Sequence, residues 1–122
     1  MPDAAPVVLL ADDHALLRGE LRLDLEEHGF RVCAEVGSGQ EALDAAVRER
    51  PAICLLDVDM PGGGIEAARA IARRVPETRV VMLTVSRDEE HVRAAEQAGA
   101  VAYLLKDLPA DRLAAALRKL LD

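Results

Sequence analysis

Five short apolar runs, at residues 7–11, 31–36, 52–57, 79–84 and 101–105, alternate with five segments whose apolar residues recur at helical spacing. No other feature limits the fold so tightly. Parallel strands need crossover connections, and these are right-handed, so the rhythm predicts a parallel sheet covered by helices on both faces. In such a sheet, ligands bind beyond the carboxyl ends of the strands, near the point where strand order reverses.

The punctuation between the runs supports this reading. After VVLLA (7–11) a helix is expected over 15–30, with Leu17, Leu21 and Leu25 on one stripe and Gly29 stopping it. Leu16 and Leu23 lie off that stripe, either widening it into the core or facing outward as a docking surface. RVCAEV (31–36) alternates as a strand does, and Ser38 with Glu41 forms a capping box for a helix to about Arg50, closed by Pro51. AICLLD (52–57) is the third strand. A Pro-Gly loop at 61–64 leads to a helix over 65–75 that ends before Pro76. RVVMLT (79–84) is the fourth strand, and Ser86 with Glu89 offers a second capping box for a helix to about Ala98, ended by Gly99. VAYLL (101–105) is the fifth, and Pro109 opens the last helix, to Leu121. With no linker or low-complexity segment, residues 1–122 read as one domain.

Composition excludes several function classes. Fifteen basic against 22 acidic residues give a formal charge of −7, which repels phosphate backbones, so direct nucleic-acid contact by this segment is not expected. No run reaches the roughly 20 apolar residues of a membrane span, and MPDAAP lacks the basic and apolar regions of a signal peptide. No membrane contact and a cytoplasmic location are the expectation. Cys33 and Cys54 sit in separate strand-like runs without metal-binding spacing and read as buried, reduced thiols.

Four of the five strands end in polar residues of a particular kind. The first runs into Asp12 and Asp13, the third into Asp57, the fourth into Thr84 and the fifth into Lys106, so all five side chains are expected at one edge of the sheet. The second ends at Val36-Gly37 and offers nothing, as a marginal strand would. Two carboxylates about 4 Å apart repel by roughly 4 kcal/mol at the dielectric usual near a protein surface. Three acids against one lysine therefore call for a further cation. An oxygen-only cluster favours Mg²⁺, and Mg²⁺ with a lysine and a threonine hydroxyl points to phosphate chemistry.

Over nearly its whole length the sequence resembles the receiver domain of two-component response regulators. The resemblance rests on Asp12-Asp13, the LLDVDMPG run around Asp57, MLT ending at Thr84, and YLLKD carrying Lys106. It implies a flavodoxin-like doubly wound (βα)5 fold, with a five-stranded parallel sheet in the order 2-1-3-4-5. It further implies that Asp57 accepts a phosphoryl group from a sensor histidine kinase. Asp13 and Asp57 would hold Mg²⁺, with Asp12 acting through water and Asp59 through its backbone carbonyl. Thr84 would follow the phosphoryl oxygens and Tyr103 change rotamer, while Asp59 and Ser86 stand where they can affect water access to the phosphoryl group. DDHALLRGEL and LLKDLPADRL look most like the LuxR-type branch, whose members usually attach a helix-turn-helix domain and control transcription. A homodimer on phosphorylation fits the same picture.

Two departures stand out. MPGGGIE has three glycines and one residue fewer than the family's usual loop, and Asp107 rather than proline follows Lys106. Local readings compete at several positions. Asp12 or Asp13 can cap the first helix, Ser86 the fourth, and Tyr103 can be a packed strand residue with a wet hydroxyl. His14 reads as a first-turn helix residue, and His28 and His91 as surface positions. Two rival functions remain at this level. One is a receiver-like interaction module that is not phosphorylated; the other is a phosphatase of the haloacid-dehalogenase type, whose Asp-x-Asp signature LLDVDM resembles. The reading adopted is a switch and not a turnover enzyme.

Overall fold

The computed structural model describes residues 5–85 and 87–122. The alternation resolves into β1 (Val7–Ala11), α1 (Ala15–Glu27), β2 (Arg31–Val36), α2 (Gly39–Glu49), β3 (Ile53–Asp57), α3 (Gly64–Arg74), β4 (Arg79–Thr84), α4 (Glu89–Ala98), β5 (Ala102–Leu105) and α5 (Ala110–Leu121). All strand pairs are parallel, in the order β2-β1-β3-β4-β5, the flavodoxin-like arrangement. Strand order therefore reverses between β1 and β3, and a ligand crevice is expected over their carboxyl ends.

Helices cover both faces of the sheet, which is why β1, β3 and β4 read as continuous apolar runs, while β2 at the margin alternates. On one face Leu9, Cys54, Leu56 and Met82 pack against Ala46, Ala68, Ile71 and Ala95 of α2, α3 and α4. On the other, Leu10, Leu55, Val81 and Leu83 pack against Leu21 and Leu25 of α1 and Leu113 and Leu117 of α5. Successive strand residues thus serve opposite layers. Cys33 and Cys54 are free thiols, and burial pushes the Cys54 thiol well above its ordinary value, leaving it unreactive. No helix among the described residues is long and apolar enough to cross a membrane.

Several helix ends differ from expectation for local reasons. The Ser38 hydroxyl accepts the Glu41 N–H at 3.2 Å, while the Glu41 carboxylate reaches back to the N–H of Gly37 at 3.3 Å, so the box closes one residue early. At α4 the cap is Asp88, which accepts the Glu90 N–H at 2.9 Å. Ser86 lies outside the described residues. His14 is the residue before α1, not a first-turn residue, and its N–H donates to Asp12 Oδ1 at 2.8 Å. His28 ends α1 half-buried rather than on the surface, its Nδ1 2.7 Å from the Asp24 carbonyl. Leu16 and Leu23 are 79% and 61% exposed, so the core stripe of α1 is narrow and these leucines face outward.

Candidate functional site

The parallel register brings the strand ends to one edge. Asp12 follows β1 and still pairs with the sheet through its N–H, which donates to Val36 O at 3.0 Å. Asp57 and Thr84 are the last residues of β3 and β4, and Lys106, just after β5, donates its N–H to Thr84 O at 2.7 Å. Asp12, Asp57 and Thr84 are only 2%, 4% and 4% exposed.

Lys106 joins the two buried acids. Its Nζ lies 2.7 Å from Asp12 Oδ2 and 3.1 Å from Asp57 Oδ1. Asp12 Oδ2 meets no donor in hydrogen-bonding geometry, so that contact is a charge pairing rather than a directed bond. The remaining support for Asp57 is the Asp59 N–H, which donates to Oδ1 at 3.1 Å. Burial, followed by the opposing effects of that N–H and of Lys106, leaves the Asp57 carboxyl above its ordinary value; the nearby Asp12 charge adds to the rise. Burial alone would lower the Lys106 ammonium, but its close pairing with Asp12 and Asp57 outweighs this and holds it above the usual lysine value.

Asp13 and Asp59 are exposed at the mouth. With His14, Asp57, Val85 and Lys106 they line a cavity of about 230 Å³ at the carboxyl ends of the strands. Val85, 78% exposed, forms an apolar lip that the motif reading did not single out. Asp12, Asp13 and His14 bring one ligand atom each within 4.8 Å of one another, whereas Asp57 turns toward Lys106. The donor set fits a hard divalent cation: two buried carboxylates share one ammonium, and an exposed carboxylate stands beside them.

The short glycine loop works by close approach. Gly62 and Gly63 have φ of 85° and 78°, and the turn closes through Gly63 N–H to Met60 O at 2.9 Å and Gly64 N–H to Val58 O at 3.2 Å. A Cβ on Gly64 would lie 2.0 Å from the Asp57 carbonyl oxygen, so only glycine lets α3 begin against the main chain of Asp57.

Tyr103 is buried in β5, and its hydroxyl has no hydrogen-bond partner among the described residues, contrary to the wet hydroxyl expected. Arg87 lies over its ring, 6.0 Å from the centroid, and donates to its carbonyl at 3.4 Å. Residues missed by motif reasoning include Arg18 and Glu35, which meet at 3.3 Å beside β2. The only sequence signal was an arginine one turn into a helix that directly follows the acid pair.

Fold and site together define a doubly wound domain with an acid pair, an aspartate, a threonine and a lysine gathered at the switch point. Residues 8–118 match the family model of the response regulator receiver domain. The chain belongs to that family. It is 37% identical over 113 residues to the response regulator UvrY of Escherichia coli, covering 91% of this chain and 52% of that protein. It is 34% identical over 113 residues to the transcriptional regulatory protein DegU of Brevibacillus brevis, covering 91% and 48%. The receiver domain of the putative response regulator NarL from Mycobacterium tuberculosis superposes with a TM-score of 0.91 at 30% identity, covering 97% of each chain. A LuxR-family two-component response regulator from Aurantimonas sp. gives 0.90 at 30%, covering 96% of this chain and 85% of that one. The chain spans about half the length of the curated relatives it matches.

Proposed function

We propose that residues 1–122 form one receiver domain in which Asp57 takes a phosphoryl group from a phosphohistidine of a sensor histidine kinase. The carrying observation is the pairing of two almost fully buried carboxylates, Asp12 and Asp57, on the single ammonium of Lys106 at the switch point. An Asp57 carboxylate oxygen bonds to phosphorus as the phosphorus–nitrogen bond breaks, and that electron pair, with a proton, ends on the imidazole. The Asp59 N–H holds Oδ1, leaving the other oxygen for attack, and Lys106 shifts its charge toward the phosphoryl oxygens. Mg²⁺, when bound, would be held by Asp13, Asp57 and the Asp59 carbonyl with Asp12 acting through water, and would supply positive charge against those oxygens. Thr84 follows the phosphoryl group, while Asp59 and Ser86 set how readily water removes it. The family match and the place of Asp57 on the third strand favour this switch over an Asp-x-Asp phosphatase.

Phosphorylation biases two conformations through Thr84, Tyr103 and the face of α4, β5 and α5, with a homodimer as one outcome. Relatives named as transcriptional regulators are about twice as long, which supports a DNA-binding output attached to the native protein. Exposed Leu16 and Leu23 on α1 would give the kinase an apolar landing. Labelled phosphoryl transfer from a phosphorylated kinase core tests the reading: wild type takes up label and Asp57→Asn does not. Equal labelling of both at the same site would sink it.

A further inference from the structure

Arg18 belongs to none of the groups used above, yet it grips the main chain of the acid pair. From the first turn of α1 its Nη1 donates to Asp12 O at 2.7 Å and to Val36 O at 3.2 Å. Its Nε pairs with Glu35 Oε1 at 3.3 Å, and the side chain is only 20% exposed. Glu35 is held from its other side by Arg22 Nη1 at 2.9 Å, and the bonds from Arg22 and then Arg18 keep its carboxyl below the usual range against the effect of burial.

The oxygen that Arg18 holds is the carbonyl of the Asp12–Asp13 peptide. Because that unit is planar, anchoring its oxygen fixes the plane from which the Asp13 side chain departs. Two further bonds, Asp12 N–H to Val36 O at 3.0 Å and His14 N–H to Asp12 Oδ1 at 2.8 Å, hold the units on either side. Arg18 therefore completes the clamp and fastens it to the end of β2.

We infer that Arg18 is a positioning residue for the acid pair, oriented by Glu35, and that it sets the affinity of the site for a divalent cation. The inference rests on the Mg²⁺ reading above and adds a residue to it. Its sign is distinctive. Removing a positive charge near a cation site favours cation binding by electrostatics alone, whereas loss of positioning weakens it.

The test is calorimetric titration of the unphosphorylated protein with Mg²⁺, for wild type, Arg18→Ala and Arg18→Lys. The alanine variant is expected to bind about tenfold more weakly, the low end for removing a group that orients metal ligands. Lysine keeps the charge and much of the stem but not the planar fork; it is expected to weaken binding in the same direction, and serves alone if the alanine variant does not fold. With a small phosphodonor, half-saturating Mg²⁺ should rise in parallel while the rate at saturating Mg²⁺ stays within about twofold, a split that general loss of structure does not produce. Folded variants that bind Mg²⁺ as tightly as wild type, or more tightly, would overturn the role of Arg18 and leave the receiver reading intact. Failure of wild type itself to bind Mg²⁺ would remove the reading and the inference with it.

Discussion

Replacing Lys106 with methionine keeps most of the stem and removes the cation shared by both buried acids. The ammonium stands 2.7 Å from Asp12 Oδ2 and 3.1 Å from Asp57 Oδ1. At an effective dielectric of about 20 these contacts represent ~6 and ~5 kcal/mol of gross attraction. Desolvation of the ammonium offsets much of that, and the net effect is governed by the charges left behind. Breaking a buried pair by deleting one partner usually costs about 3–5 kcal/mol. We expect Lys106→Met to lose about 3 kcal/mol in urea unfolding at neutral pH without divalent ions, a large share of the ~5–15 kcal/mol of a typical domain. The deficit should shrink on adding Mg²⁺, which replaces the missing charge. It should also shrink on acidification, because the Asp57 carboxyl, already raised chiefly by burial, then takes a proton. A loss below about 1 kcal/mol, or one that neither Mg²⁺ nor pH alters, would refute the reasoning.

Asp57→Asn should change the pH dependence of stability. With a folded-state value above the ordinary 3.8, wild type loses stability as pH rises from that ordinary value through the raised one, and the asparagine variant lacks this fall; equal slopes in urea unfolding across that window would contradict it. Gly64→Ala forces a Cβ to within 2.0 Å of Asp57 O, so thermal unfolding should show a loss of at least about 2 kcal/mol, and a neutral result would mean that the loop relaxes freely. Tyr103→Phe removes a buried hydroxyl without a partner among the described residues, and should leave stability equal or raise it by up to ~1 kcal/mol. A clear destabilisation would show that the hydroxyl is bonded.

The strand–helix rhythm was legible because the central strands β1, β3 and β4 are buried on both faces, and the site was legible because parallel strands deliver their last residues to one edge. Asp12, Asp57 and Lys106 needed only that rule. What stayed hidden depends on angles and distances that composition does not carry. Leu16 and Leu23 look like core residues until the azimuth of α1 on the sheet is known. At α4 the Asp88 carboxylate accepts the Glu90 N–H, a cap that the Ser86–Glu89 pattern did not announce. Arg18 and Glu35 meet between α1 and β2, 17 residues apart, with no periodicity to announce the contact. The hydroxyl of Tyr103 ends up dry because the ring packs with Met82, Ala95 and their neighbours in the core beneath α4.

The account turns on Asp57 as the group that takes phosphate. Incubating wild type and Asp57→Asn with a small phosphodonor, with Mg²⁺ or with chelator, and reading intact mass and the modified peptide tests this directly. The predicted result is a gain of one phosphoryl group on the peptide containing Asp57, in wild type and only with Mg²⁺. Modification of the asparagine variant to the same extent, or a wild-type adduct on another residue, would contradict it.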